Sequence, residues 1–509
     1  MLVIKIIRVD FYKYQAQLIM KKRAFYTLSF LFCLTFFHAK AQVTLFQSPQ
    51  VPFKEIPYSP ATNTLLLSEE FEYYTLFEQG DTVYTNNSTY SPSKGSHDYT
   101  AFLPGSSAKK ASLFVSHECN DSSTIFGDGG GGTIFQIRKK DYLWKRTGKF
   151  ESVDFSAVGG TYDNCGGLYI PKTKRILSAE EHPPENNRLL YKKGKGVRDT
   201  SDMKGLKRYE NMGWMVEIDP VSKKALNKLY ALGRFSHESG WLSKDGKTLY
   251  MTDDHAPCVF FKFVAEQAYS FDNGILYAYD QHHNNHWIAL PNELDSLVII
   301  RDIALRKGAT IFARMEWITA TNDQLFITET GTLPISISAQ GLQKQNLALH
   351  LQSKIKDDTL HYPDGALLAF DIKTEEIKVR LAGGRASKDT SKYFSNPDAI
   401  TAFKNNGRTW LIICEDQIKD RHDGNEVWWL DADIQHPGVD SLYRFITAPM
   451  GSEPTGVCLS KDKKTLFMNI QHPFGENLPP FHHSCTLAIR SKSWKATYKG
   501  GQGVHVSFW

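Results

Sequence analysis

The chain has 509 residues, 41% of them apolar and 13% aromatic, which is enough to fill the core of one large domain and excludes a mainly disordered chain. Its formal charge of +5 sits at one end: residues 1–41 hold seven Lys/Arg and one acid, leaving 53 basic against 54 acidic side chains elsewhere. A body of near-zero net charge presents no basic field to a phosphate backbone, so nucleic-acid binding is not expected.

The first predicted element is an export signal. From Met20, the residues Lys21, Lys22 and Arg23 form a charged start, Ala24 to Phe37 are mostly apolar, and Ala39-Lys40-Ala41 puts small residues where a signal peptidase reads. The expectation is that residues 1–41 comprise upstream residues (1–19, with Met20 as the start) and a signal peptide cleaved after Ala41. Residues 42–509 then form a single exported domain, periplasmic or secreted. The apolar run is short of the roughly 20 residues that span a bilayer, so no stable membrane anchor is expected. Six cysteines lie beyond it (Cys119, Cys165, Cys258, Cys414, Cys458 and Cys485). An even number in an exported chain allows one or two disulfides, while the wide, irregular spacing predicts several free, buried thiols.

Further along, a short apolar run that stops at acids or His recurs six times: ASLFVSHE (111–118), RILSAEEH (175–182), TLYMTDDH (248–255), QLFITET (324–330), TWLIICED (409–416) and TLFMNIQH (465–472). Two copies follow near-identical hairpin text, LSKDGKTLY (242–250) and LSKDKKTLF (459–467). Each run has strand length, and long helical periodicity is scarce. A unit recurring every 56 to 87 residues predicts an all-β fold, a six-bladed β-propeller with long loops decorating one face, the largest within 255–312 and 333–395. If each run is the inner strand of its blade, six acid-bearing ends converge on the central channel. Carboxylates at that density repel one another, and cations relieve the repulsion, so a metal cluster is expected.

The candidate oxygen ligands are Glu180, Glu181, Glu238, Asp253, Asp254, Glu415, Asp416 and Glu453, suited to calcium, magnesium or manganese. Cys165, in DNCGG (163–167), adds a thiolate that favours a transition metal such as iron; a disulfide or a small buried hydrophobe are its alternatives. In Ala313-Arg314-Met315-Glu316-Trp317, residues two apart share a strand face, so Arg314 and Glu316 project together. A guanidinium beside a metal-binding carboxylate suits an oxyanion, with a plain ion pair as the alternative. His117-Glu118 and His237-Glu238 repeat a pair but neither is HExxH, which excludes that zinc-protease motif. Gly127 to Gly132 lacks a phosphate-loop pattern and is expected to be a flexible loop on the channel face. Val504 to Trp509 alternates like a strand.

The ordered set SHECN (116–120), NCGG (164–167) with AEE (179–181), GRFSHE (233–238), YMTDD (250–254), ARMEW (313–317), NPDAI (396–400), ICED (413–416) and SEPTG with LFMNIQHP (452–473) resembles the PhoX-type alkaline phosphatases, exported bacterial six-bladed propellers. The resemblance implies a phosphomonoesterase with a mixed iron–calcium cluster at the channel mouth. On the matching positions, Cys165, Glu180, Glu238 and Glu316 are the implied iron ligands. Glu118, Glu181, Asp253, Asp254, Asp416 and Glu453 are implied for calcium or bridging positions, and Arg314 holds the phosphate. Small-molecule phosphate esters acted on by a monomer follow from this reading. Two departures stand out: Leu168 to Lys174 reads LYIPKTK where the family carries a Trp-Gly run, and Lys22-Arg23 is not a twin arginine. The competing expectations are a phosphodiesterase or lactonase on the same scaffold, or a non-catalytic, calcium-stabilised propeller binding through exposed Trp428, Trp429, Trp494 and Tyr498.

Overall fold

The computed structural model describes residues 51–492 other than 52, 86–88, 121–128, 188–202, 322, 406 and 418–423. The signal peptide, Trp494, Tyr498 and the Val504–Trp509 segment lie outside the described residues.

Among the described residues there are six sheets of four to six strands and two smaller ones. The first two strands of each large sheet are β1 (His97–Pro104) and β2 (Lys110–His117), β3 (Asn164–Ile170) and β4 (Arg175–Glu180), β5 (His237–Leu242) and β6 (Thr248–Asp253), β7 (Met315–Thr321) and β8 (Gln324–Glu329), β9 (Pro397–Asn405) and β10 (Arg408–Glu415), and β11 (Glu453–Leu459) and β12 (Leu466–Gln471). The odd-numbered strands neighbour one another in the cycle β1, β3, β5, β7, β9, β11 and back to β1. That closed ring of inner strands makes the fold a β-propeller. Phe71–Glu78 closes it, pairing antiparallel with Cys485–Ser491 as the outer strand of the last sheet. The sheet edge most open to slippage is therefore covered by chain from the other end of the domain.

The repeated acid-ended runs are not the inner strands, as the sequence predicts, but the second strands, β2 to β12 in even numbers. The inner strands carry less uniform text, so hydrophobic repetition does not point to them. The twin hairpins do take one shape: Gly246 and Lys463 both adopt positive φ (74° and 55°), donating their N–H to Ser243 and Ser460 carbonyls at 2.9 and 2.7 Å.

The core lies between neighbouring sheets. Leu177 and Met215 of the second sheet pack with Leu249 and Phe261 of the third, and Phe135 of the first with Phe467 and Ala488 of the sixth. Trp428 and Trp429 belong to this interior with no exposure, so they offer no binding surface. Blade strands take up only part of 255–312 and 333–395 (Phe261–Ala265, Gly274–Tyr279 and Trp287–Ala289; Ala366–Asp371 and Ile377–Ala382). The true excursions are two short helices (Leu294–Leu297 and Ile300–Arg306) and a small three-stranded sheet between Thr332 and Tyr362. Cys165, Cys258, Cys414, Cys458 and Cys485 form no disulfides, so the bridges allowed for among them do not form. Among the described residues no helix is long and apolar enough to cross a membrane.

Candidate metal and phosphate site

Each pair of inner and second strands breaks register once, for example between His97 and Thr100, His237 and Gly240, Met315 and Ile318, and Pro397 and Ile400. Bulges of this kind re-aim side chains next to a site. In five blades the same backbone bond follows. The residue after the second strand donates its N–H to the carbonyl just before the inner strand: Glu118 to Ser96, Glu181 to Asp163, Asp254 to Ser236, Thr330 to Arg314 and Asp416 to Asn396, all at 2.8–2.9 Å.

This construction gives two tiers of side chains at one end of the channel. The inner strands contribute Asp98, Cys165, Glu238, Glu316, Asp398 and Glu453; the second-strand ends contribute Glu118, Glu181, Asp254, Asp416 and His472. Together with His182 and Arg314 they line a cavity of about 130 Å³. Among the described residues this cavity gathers nine carboxylates, a thiol, two imidazoles and a single guanidinium.

Of the residues expected from sequence, Cys165, Glu118, Glu181, Glu238, Asp254, Arg314, Glu316, Asp416 and Glu453 are therefore brought together. Glu180 and Asp253 are not, and their placement corrects the sequence reading. Successive strand residues face opposite ways, so in each acidic doublet one member turns into the blade. Glu180 is fully buried against Lys228 Nζ (2.9 and 3.1 Å) and accepts the N–H groups of Gly213 and Trp214. Asp253 is paired with Arg301 at 3.0 Å. Glu415 likewise turns inward, to Trp428 Nε1 at 2.9 Å. Glu329, at the end of β8, also turns inward, to His350 Nε2 at 2.7 Å and Tyr362 Oη at 3.0 Å, and the four inward acids share one task. Glu180, Asp253, Glu329 and Glu415 accept the backbone N–H of Tyr162, Ser236, Ala313 and Ser395, at 3.0–3.3 Å, and so pin the turns that lead into the inner strands. They position the site without lining it.

Asp98, Asp398, His182 and His472 were missed from sequence. Ser96-His97-Asp98 is the true counterpart of Ser236-His237-Glu238, since both open an inner strand. Ser116-His117-Glu118, which looks like the closer match, ends a second strand. Of the glycine-rich loop, Gly129 to Gly132 are described; Gly130 packs on Asn164 beside Cys165, the Gly131 N–H donates to Asn164 Oδ1 at 2.7 Å, and none of the four lines the acidic cavity.

The cavity's chemistry is that of an anionic cage. Cys165 Sγ donates to Glu238 Oε2 at 2.7 Å, and burial followed by the charges of Asp98 and Glu238 holds the thiol well above its usual range. Burial first, and then neighbouring carboxylates, pushes Glu118, Glu181, Glu238, Glu316, Asp398 and Glu453 well above the ordinary carboxylate range, and Asp98 up to about 6. Burial also acts on Asp254, but the Arg314 guanidinium outweighs it and holds that carboxyl low. Arg314 grips Asp254 with Nε and Nη2 at 2.8 and 3.0 Å and lies 3.2 Å from Glu316 Oε1. Asp98 keeps one buried oxygen, Oδ2, without a hydrogen-bond partner. Four groups place their donor atoms within 4.8 Å of one another: Asp98, Glu118 and Cys165; Glu118, Glu181 and His182; Cys165, Glu181 and Glu238; Glu238, Glu316 and Asp398. An orphaned buried oxygen, raised carboxylates and overlapping donor sets all fit a cluster of cations, with the thiol marking where a softer transition metal would sit.

The family model described as alkaline phosphatase PhoX matches residues 144–474. Among solved structures the chain is similar to Pseudomonas fluorescens PhoX in complex with vanadate, a transition-state analogue, at 19% identity and a TM-score of 0.67, covering 87% of this chain and 98% of that one. It is also similar to a gluconolactonase from Xanthomonas campestris at 10% identity and a TM-score of 0.38, covering 86% and 98% of the two chains. No curated protein matches the chain in sequence.

Proposed function

The chain belongs to the alkaline phosphatase PhoX family, and from that premise we propose that it is an exported phosphomonoesterase working with an iron–calcium cluster in the acidic cavity. The observation that carries the reading is that, among the described residues, a single guanidinium is set among nine carboxylates and a thiol. Cations and one fixed Arg together make a receptor for a tetrahedral oxyanion, which neither would be alone.

Cys165, Glu238 and Glu316 would hold iron. Glu118, Glu181, Asp254, Asp416 and Glu453 would hold calcium or bridge, and Asp98 and Asp398 complete the ring from the neighbouring inner strands. When bound, the ions supply Lewis-acid stabilisation of charge on the phosphoryl oxygens. Arg314 binds two of those oxygens through its planar fork. Asp254 and Glu316 hold that fork in place before substrate arrives, so little orientation remains to be done in the transition state. Glu180, Asp253, Glu329 and Glu415 keep the inner-strand turns, and thus the ligands, in register. The substrates are small phosphate esters, the active species is a monomer, and the exported domain begins after Ala41.

The test is elemental analysis of the purified protein alongside p-nitrophenyl phosphate turnover, with and without a calcium chelator. Iron and calcium both present, and turnover lost on chelation and regained with calcium, is the expected outcome. Turnover indifferent to chelation, or protein free of both metals yet active, would remove the cluster from the mechanism.

A further inference from the structure

A second cavity, of about 280 Å³, opens beside the acidic one and shares Asp416, Glu453 and His472 with it as a common wall. A group bound at Arg314 therefore has a neighbouring compartment for whatever is esterified to it. The polar side chains of that compartment are engaged within the protein. Asn425 Nδ2 donates to the Ser452 carbonyl at 3.0 Å, Ser452 Oγ to the Pro449 carbonyl at 2.6 Å, and Gln417 Nε2 to Glu415 at 3.1 Å. What the compartment offers to a ligand is the face of Phe474, 46% exposed, with Met450 beside it.

Phe474 is exposed but not loose. Its N–H donates to the Met450 carbonyl at 3.1 Å, and its own carbonyl accepts the N–H of Asn477 at 3.1 Å. Gly451, at φ +69°, lies directly under the ring: a Cβ there would come within 2.2 Å of Phe474 Cδ1. Only glycine lets the ring rest on the backbone in this way. Among the described residues Phe474 stacks on no other aromatic ring, so one π-face is presented to the compartment.

Resting on the phosphatase reading, we propose that this compartment is the leaving-group subsite and that Phe474 selects esters whose alcohol part is a flat aromatic or heteroaromatic group, stacked on its ring. The size fits: an apolar cavity of about 150 Å³ already admits benzene. Such stacking is worth about 0.5–1.5 kcal/mol, or roughly 2–13-fold in affinity.

The experiment uses the protein with its bound ions, as wild type, Phe474→Ala and Phe474→Trp. Two readouts are compared: kcat/KM for 2-naphthyl phosphate against glycerol 2-phosphate, and calorimetric binding of naphthylmethylphosphonate against methylphosphonate. F474A is expected to weaken both aryl readouts by about fivefold, through KM more than kcat, and to change the alkyl readouts less than about twofold, with F474W restoring the aryl preference. Equal changes for aryl and alkyl phosphonates would overturn the subsite. Aryl-selective phosphonate binding that depends on Phe474, without hydrolysis of either ester, would uphold the subsite and overturn the phosphatase reading instead. Binding of neither phosphonate would overturn both.

Discussion

Replacing Arg314 with alanine separates a phosphate-binding role from a plain ion pair. The guanidinium is held at 2.8 and 3.0 Å by Asp254 and at 3.2 Å by Glu316, and its side chain is about a quarter exposed, toward the cavity. A fork oriented in advance loses little freedom when it closes on two phosphoryl oxygens. Charge-assisted hydrogen bonds contribute about 1.5–3 kcal/mol each. Assigning half of the pair to the transition state gives about 1.5–3 kcal/mol, a loss of roughly 10- to 10²-fold in kcat/KM. Arg314→Lys keeps the charge but not the fork, and should recover no more than about tenfold of that loss. The assay is p-nitrophenyl phosphate hydrolysis with iron and calcium measured on the same preparations, so that lost metal is not mistaken for lost substrate binding. Unchanged hydrolysis at unchanged metal content would show that Arg314 serves only to neutralise Asp254 and Glu316.

Three further outcomes are expected. Cys165→Ser should lower bound iron while leaving most calcium in place, by elemental analysis; equal iron in variant and parent would refute the assignment. Lys228→Met strands Glu180 as an unpaired buried charge and should cost about 3–5 kcal/mol in denaturant unfolding with metal content intact, whereas Glu181→Gln should lower metal content at a smaller cost in stability. Metal-stripped protein should lose thermal stability as pH rises above the ordinary carboxylate range of about 4. The buried carboxylates have raised folded-state pKa values, so the stability they contribute is full below that range and lost as pH climbs from it through the folded-state values; His97, His117 and His237, held low by burial, work against this only up to about pH 6.5, where unfolded His loses its charge. Scanning calorimetry with and without chelator would test this, and a flat pH profile in the stripped protein would contradict it.

The propeller and the gathering of acids at its mouth are legible in the sequence because the second strands repeat a recognisable apolar run. The assignment of those runs to the channel wall is not. In a propeller the strand with the most regular hydrophobic text is the one sandwiched within the blade, and the inner strand is free to vary. The same circumstance hides Asp98 and Asp398, whose strands begin with HDYTAF and PDAITAF rather than with a repeat. It also makes the doublets Glu180-Glu181 and Asp253-Asp254 ambiguous, because sequence gives two adjacent acids without saying which faces the channel. The backbone bonds from Glu181 to Asp163 and from Asp254 to Ser236 decide it, and they are long-range features of the bulged blade end. Trp428 and Trp429 show the opposite error: aromatic residues beside acids suggest a surface, but they sit on a third strand, buried between sheets.

The division of labour within each doublet has an energetic consequence. An inward acid such as Glu180 or Glu415 is compensated by fixed backbone N–H groups and a paired side chain, so it is satisfied by the fold itself. The cavity acids are less fully compensated: among the described residues nine of them share one space with a single guanidinium, which is taken up by Asp254 and Glu316. The chain can reach this arrangement either by keeping several carboxyls protonated or by binding cations, and rising pH favours the second. Any cation bound in this cavity would be coupled to closure of the ring, since the inner-strand side chains Asp98, Cys165, Glu238, Glu316, Asp398 and Glu453 come from all six sheets and meet only once the cycle of inner strands is complete.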